Sequence, residues 1–439
     1  MNTVAFYTLG CKVNQYETEA MEENFENNGY QVVGYENSAD IYVINTCTVT
    51  NLADRKSRQF IRRAKKINKN AIVAVVGCYS QVSPEEIIEI EDVDVIIGTT
   101  DRKKIVKICE EAKINNKKIN IVRNVKTQKE FESINIDTIR SKTRAYIKIQ
   151  DGCNQYCSYC IIPYARGPIR SRELGDILNE TRKLAKAGFK EIVLTGIHVA
   201  SYGKDMRNLS LLKALEEVGK VEGIERIRLS SIEPTLIDDD FMKKILEIEK
   251  VCNHFHLSLQ SGSDTVLKRM NRKYTTKEYE NIVKIIRKYM PDAGITTDII
   301  VGFPGESEEE FQETYDFVKK IGFSKIHVFK YSPRRGTPAA ESKNQINGNI
   351  KNTRSEKLIQ LEEDLAKDFN FQFIAKDLSI LFEEESKGQE GFIEGYTTNY
   401  IRVKTKASNS LLGIIGDVKI EGMDKDYLVG RLDSSFHSE

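Results

Sequence analysis

Asp-Gly-Cys-Asn-Gln-Tyr-Cys-Ser-Tyr-Cys, residues 151–160, directly follows the apolar run 145–150, which reads as a strand. Cys153, Cys157 and Cys160 thus fall in C-x3-C-x2-C spacing on one short loop beyond a strand. Three thiolates so placed can hold three irons of a [4Fe–4S] cube and leave the fourth iron without a protein ligand. A zinc ribbon would need a second cysteine pair, and the chain has no second C-x2-C. The spacing therefore favours a cluster over zinc or three incidental thiols. Five more strand candidates follow the loop, at 191–196, 226–231, 254–260, 296–301 and 325–329, with helix candidates at 174–187, 238–247, 276–288 and 308–320. Six βα units predict an incomplete version of the eight-unit barrel, with its chemistry at the strand C-termini.

Upstream of the loop, short apolar runs at 4–9, 41–45, 71–76 and 93–97 alternate with helical stretches at 17–27, 54–67 and 103–112. Such continuously apolar runs suit a parallel sheet covered on both faces. Cys11, Cys47 and Cys78 each sit just beyond the C-terminal end of one of these runs, the edge where open α/β sheets bind ligands. The three thiols are expected to converge as a second three-thiolate cluster, against the plainer possibility of three small buried hydrophobes. Cys109 and Cys252 lack partners at ligand spacing and read as structural. His254 and His256, two apart on a predicted strand, share a face and read as polar lining ahead of a metal pair.

Residues 115–142 turn polar and read as a linker, 355–369 as a charged helix, and the chain beyond about 372 as short β runs at 378–382, 391–396, 400–404, 417–421 and 427–432. The expected organisation is α/β: an N-terminal parallel α/β domain (1–114), a linker (115–138), a partial (βα)6 barrel core (139–370) and a small C-terminal β-barrel (372–437). With 66 Lys and Arg against 65 Asp and Glu, net charge selects no partner, and eight cysteines in 439 residues are too sparse for a disulfide scaffold. No window is apolar enough for a membrane span, which leads to the expectation of a cytoplasmic protein without a membrane partner.

The three-cysteine loop followed by Ile-Ile-Pro-Tyr-Ala-Arg-Gly-Pro (161–168) resembles radical S-adenosylmethionine (SAM) enzymes, and Cys11, Cys47 and Cys78 make the chain similar to the methylthiotransferases among them. The resemblance covers nearly the whole chain and implies an N-terminal methylthiotransferase domain, a radical-SAM core and a C-terminal TRAM domain. Thr-Leu-Gly-Cys-Lys-Val-Asn-Gln-Tyr-Glu-Thr (8–18), Asn-Thr-Cys-Thr-Val-Thr (45–50) and His-Leu-Ser-Leu-Gln-Ser-Gly (256–262) look most like the branch that acts on N6-threonylcarbamoyladenosine at position 37 of tRNA, beside the anticodon. Other branches act on isopentenyladenosine or on a ribosomal-protein aspartate. The rival from outside the class is a non-catalytic iron–sulfur RNA-binding protein.

What the resemblance implies is specific. Two [4Fe–4S] clusters would be bound by Cys153/Cys157/Cys160 and by Cys11/Cys47/Cys78, with SAM chelated at the open iron of the first and a flavodoxin- or ferredoxin-type protein as electron donor. The sulfur donor is not indicated. Tyr159 matches the family's aromatic position near the SAM adenine, and Thr195 and Gly196 the segment that meets the methionyl amine. Ser258, Gln260 and Ser261 could reach the ribose, while Asp298 and Glu306 bracket the stretch flanking the adenine.

Eight Lys/Arg and no acid lie between Arg55 and Lys69, and seven basic residues face one Asp between Arg140 and Arg172. Both are candidate phosphate contacts. The segment 372–439 instead carries 8 basic against 12 acidic residues. Its candidate RNA contact is local: Arg402, Lys404 and Lys406 alternate along one predicted strand, with Tyr396 and Tyr400 as nearby stacking platforms.

Overall fold

The computed structural model describes residues 2–134 and 143–433. The expected 138/139 boundary, Arg140, Lys142 and the expected end at 437 lie outside the described residues.

Six parallel strands form the N-terminal sheet: β1 (Thr3–Thr8), β2 (Gln31–Val33), β3 (Ile41–Thr46), β4 (Ile72–Gly77), β5 (Val95–Ile96) and β6 (Ile119–Asn120), in the order β2-β1-β3-β4-β5-β6. Every residue of β3 and β4 is buried, as continuous apolar runs between two helical layers should be. Met21 and Phe25 of helix Lys12–Asn27 cover one face with Ile105 and Ile108, and Ile61 and Ala64 of helix Asn51–Ile67 cover the other. The strand order reverses between β1 and β3, so a crevice opens beyond their C-terminal ends. Cys11 follows β1 and Cys47 follows β3, placing both on that crevice. The strands β2 and β6 were not expected. Strand β6 pairs with β5 inside the stretch read as a linker, so the N-terminal unit reaches at least residue 120.

The second unit contains β7 (Arg144–Asp151), the short antiparallel β8 (Arg170–Ser171), β9 (Glu191–Gly196), β10 (Arg226–Leu229), β11 (His254–His256), β12 (Gly294–Val301) and β13 (Lys325–Lys330). Parallel bridges Ile227↔Val251 and Ile232↔Leu257 join the β7-β9-β10 and β11-β12-β13 sheets into one open arc of six parallel strands, the expected partial barrel. The run 254–260 regularises only to His256; beyond it Gln260 turns at φ 73°, a left-handed conformation uncommon outside glycine. Helix Gly348–Phe371, longer than the expected 355–369, packs Leu358 and Leu361 into the barrel core.

Strands β14 (Asp377–Glu385), β15 (Phe392–Thr397), β16 (Arg402–Lys406), β17 (Ile415–Asp424) and β18 (Tyr427–Leu432) close into a small barrel around Phe382, Ile393, Val403 and Leu428. It is docked against the first strands of the partial barrel rather than appended loosely. Arg228 donates to the carbonyls of Thr397 (3.1 Å) and Thr398 (2.9 Å), Arg226 to that of Tyr396 (3.1 Å), and Arg144 pairs with Glu383 (2.8 Å). Tyr400 stacks on His254 at 4.7 Å and on Tyr396 at 4.8 Å.

A buried charge network fastens the N-terminal unit to the barrel. Glu17 meets Lys148 (2.7 Å), Arg166 (2.7 Å) and Arg102, while Asp151 meets Lys148 (2.6 Å) and Arg166 (3.2 Å). Burial pushes the Glu17 carboxyl up, but Arg102, Arg166 and Lys148 outweigh burial and hold it well below the usual range. Removing one partner from such a network leaves uncompensated buried charge, at a cost of about 3–5 kcal/mol. Glu17→Leu is expected to lower stability by that order, measured as the shift of the urea unfolding midpoint; a shift corresponding to less than 1 kcal/mol, on the order of an exposed ion pair, would show the network to be dispensable.

Candidate active site

Both sets of thiols are built from turns that need glycine. Gly10 (φ 113°) precedes Cys11, and a Cβ there would stand 2.9 Å from Cys47 Cβ and 3.2 Å from its Sγ. Gly152 (φ 72°) precedes Cys153, where a Cβ would lie 1.8 Å from the Pro168 carbonyl oxygen. Close approach at these positions brings Cys11 beside Cys47 and folds the 153–160 loop back on residues 167–168. Cys78 opens the short helix after β4 and lies 3.4 Å from Arg166 Nε. Arg166 also donates to Asn14 Oδ1 (2.9 Å), which is 3.7 Å from Cys11 Sγ. Cys11, Cys47 and Cys78 therefore share one edge of the sheet.

In the other set, Cys153 N donates to the Gly167 carbonyl and Cys160 N to that of Cys157, closing the loop on itself. Arg272 reaches Cys157 Sγ at 3.3 Å while its other nitrogen is held by Glu233 at 3.0 Å. Each thiol set thus has one buried arginine against a sulfur.

The donor sets suit iron–sulfur cages. Burial pushes Cys160 up to about 12, with Cys157 and Cys153 adding to the rise, and Cys153 up to about 11. Burial, then Cys78, pushes Cys47 up to about 12. Buried thiols of this kind stay protonated and inert unless bound cations favour the thiolate. The sulfurs of neither set gather within 4.8 Å of one another. Ligands of one tetrahedral zinc stand about 3.8 Å apart, from a Zn–S length of about 2.3 Å. Neither set is gathered tightly enough in this structure for its three thiols to hold a single zinc.

One cavity of about 940 Å³ runs between the units. Cys153, Cys157 and Cys160 form one part of its wall, Cys11 and Lys12 another, and Tyr396, Tyr400 and Arg402 of the C-terminal barrel a third. Tyr159, Thr195, Gly196, Ser258, Gln260 and Asp298 all line it. Tyr159 packs toward Phe303 and Tyr331, and Thr195 and Gly196 end β9. Ser258 and Gln260 follow β11; the Ser258 carbonyl accepts from Tyr274 and Arg272. Ser261 and Glu306 are placed elsewhere. Ser261 is fully buried against Thr314 (3.1 Å), and Glu306 pairs with Arg354 (2.6 Å) and accepts from Gly302 N (2.7 Å), so both brace the fold behind the wall. His254 and His256 do share a face, both meeting Thr296 Oγ1, at 3.1 and 2.9 Å; His256 also approaches Asp298 (3.3 Å).

The expected RNA face on β16 is altered. Glu394 sits directly across from Lys404 in the ladder and pairs with Arg402 as well. Lys404 is 8% exposed, its ammonium 3.9 Å from the Tyr427 ring centroid, so only Lys406 projects freely. Tyr396 and Tyr400 face the cavity and the arginines beneath it, not an outer RNA surface. The basic helix Asn51–Ile67 does present a cationic surface: Arg55, Arg58, Arg62 and Lys66 line one groove. Sequence reasoning missed Arg166, Arg272 and Glu233. Arg166 was read only as one of the basic residues of 140–172, a candidate phosphate contact; it is instead fully buried, as are Lys148, Arg170 and Arg172, so these four present no surface to RNA.

Comparison with known proteins matches residues 147–318 to the Radical SAM superfamily and residues 3–98 to Uncharacterized protein family UPF0004. The chain is 47% identical, over 96% of its length and 94% of the relative's, to the threonylcarbamoyladenosine tRNA methylthiotransferase MtaB of Bacillus subtilis. It is 43% identical to the protein of the same name from Aquifex aeolicus, over 91% of this chain and 96% of that one. A tRNA-2-methylthio-N(6)-dimethylallyladenosine synthase of Clostridium tetani is 39% identical over 94% of this chain and 92% of its own. Among solved structures, the radical SAM methyltransferase TsrM from Kitasatospora setae shares the fold, with a TM-score of 0.58 at 16% identity over 77% of each chain.

Proposed function

The chain belongs to the radical SAM methylthiotransferases, and from that premise we propose that it converts N6-threonylcarbamoyladenosine at position 37 of tRNA to its 2-methylthio derivative. The observation that carries this is one cavity walled by Cys153, Cys157 and Cys160 and, across from them, by Cys11 of the second set, so that an adenosine bound there lies between the two sets. Cys153, Cys157 and Cys160 would hold one [4Fe–4S] cluster, and Cys11, Cys47 and Cys78 the second. When bound, the clusters and SAM supply the electron, the methyl group and the sulfur of the reaction.

The chain's own residues supply position and exclusion. Arg272 and Arg166, each fixed by buried carboxylates, present N–H donors to one sulfur of each set, which stabilises charge on the thiolates. Tyr159 offers an aromatic wall for an adenine, and Thr195 and Gly196 a backbone edge narrow enough that a Cβ on Gly196 would meet Gln150 at 3.0 Å. Gln150 Oε1 accepts from His198 N (2.7 Å), so that edge is held from behind. Tyr396, Tyr400 and Arg402 of the C-terminal barrel complete the wall of the cavity.

The tRNA is held largely outside the cavity. Arg55, Lys56, Arg62 and Lys66 are exposed and have no acidic partner among the described residues. Each phosphate neutralised contributes about −0.7 to −0.9 to the slope of log K against log salt. Replacing these four with alanine is expected to flatten the slope for tRNA binding by about 3 units, while Arg402→Ala with Lys406→Ala flattens it by about 1. Equal slopes in the four-fold variant and the wild type would move the RNA site off this helix. No described helix is long and apolar enough to cross a membrane; a tRNA substrate supports a cytoplasmic protein, and the clusters a flavodoxin- or ferredoxin-type electron donor. The C-terminal barrel fits a TRAM domain. Nucleoside analysis of tRNA from a deletion strain tests the whole assignment: loss of the 2-methylthio derivative with accumulation of its threonylcarbamoyl precursor is expected, and an unchanged profile refutes it.

A further inference from the structure

Four Lys or Arg side chains line the cavity, and three of them are matched. Arg272 pairs with Glu233 (3.0 Å), Lys325 with Glu362 (2.8 Å) and Arg402 with Glu394. Lys12 is the exception: it has no carboxylate and no hydrogen-bond acceptor for its ammonium among the described residues. It is the residue after Cys11 and shares the wall with Tyr146 and Tyr400.

Its surroundings carry surplus positive charge. Arg144, Arg226 and Arg228 lie on β7 and β10, and among the described residues the carboxylates paired with them are two: Arg144 takes Glu383, and Arg228 and Arg226 share Glu191 at 2.7 and 3.8 Å. A partly buried ammonium without a partner is an unfavourable arrangement that an incoming anion relieves.

The substituent on N6 of the substrate assigned above supplies such an anion. A threonylcarbamoyl group joins N6 to the threonine nitrogen through a urea, leaving the threonine carboxylate free and ionised at neutral pH. An isopentenyl group at the same position is a hydrocarbon. It would desolvate Lys12 further and return nothing, so one side chain both attracts the first and disfavours the second.

We propose that Lys12 is the receptor for the threonine carboxylate and thereby selects this N6 substituent over uncharged ones, a proposal that rests on the threonylcarbamoyladenosine assignment. The test is the affinity of the cluster-loaded protein for anticodon stem-loop RNAs carrying threonylcarbamoyladenosine, its methyl ester or isopentenyladenosine. Wild type should bind the acid at least about tenfold more tightly than the ester. In Lys12→Gln that ratio should fall to near one, and Lys12→Arg, which keeps the charge and guards against a folding defect in the first variant, should retain most of it. Equal wild-type affinity for acid and ester, with both preferred over isopentenyladenosine, overturns the role of Lys12 alone. So does a Lys12→Gln variant that loses affinity for acid and ester by the same factor, which would place the ammonium on a phosphate. A wild type that prefers the isopentenyl stem-loop overturns the substrate assignment and this proposal with it.

Discussion

Alanine at Cys153, Cys157 and Cys160 together is expected to abolish formation of 5′-deoxyadenosine from SAM and to remove about half of the iron of the reconstituted protein, about four of eight atoms per chain, four for each cube. The loop contributes little to the core. Cys153 and Cys160 are only partly buried, and the backbone there is held by Gly152 against Pro168 and by Ser158 against Met270, contacts that the substitutions leave in place. The other thiol set also stays supported, since Arg166 lies beyond the loop and is anchored by Glu17, Asp151 and Asn14. Iron content with visible and electron-paramagnetic spectra would follow the clusters, and chromatography the nucleoside. A folded triple variant without any iron, or a wild type that never exceeds four irons, would rule out two independent clusters.

The complementary substitution of Cys11, Cys47 and Cys78 is expected to separate the two chemistries. SAM should still be cleaved, because Tyr159, Thr195, Gly196 and the 153–160 loop belong to the barrel, yet no methylthio product should form. The decisive quantity is the ratio of product to 5′-deoxyadenosine, which should fall from its wild-type value to zero. If cleavage disappears as well from a variant that retains wild-type secondary structure and the barrel's iron, the two sites depend on each other, and the path of that dependence would be Arg166, which touches Cys78 on one side and Asp151 at the base of the loop on the other.

The features legible in the sequence were those encoded locally. A cysteine after an apolar strand can be read from a few residues, and so all six thiols fall where the strand ends predict. The parallel order of the sheets then brings Cys11, Cys153, Cys157 and Cys160 to a common cavity, with Cys47 and Cys78 buried behind Cys11. Edge strands of two or three residues carry no periodicity, which is why β2 and β6 were hidden and why residues 119–120 passed for linker. Alternation along β16 placed Arg402, Lys404 and Lys406 on one face correctly, but no pattern within that strand announces Glu394 on the strand beside it. Arg166, Arg272 and Lys12 are invisible for the same reason: their partners, or in Lys12 the lack of one, come from residues distant in the chain. Ser261 looked like a cavity residue because it neighbours Gln260, which is one, and Glu306 because the resemblance carried the whole stretch 298–306 to the site, of which only Asp298 lines the cavity.

The floor of the cavity has a consequence for recombining such proteins. Tyr396, Asn399 and Tyr400 meet Arg144, Arg226, Arg228 and His254 across the seam, and a Cβ on Gly294 would come within 2.1 Å of the Asn399 carbonyl oxygen. A chimera that exchanges only the last seventy or so residues with those of a relative would put mismatched side chains into the reaction chamber itself. The C-terminal barrel and the first residues of β7, β9, β10, β11 and β12 should therefore be inherited as one unit, and a working graft has to carry the arginines, His254 and Gly294 along with the domain.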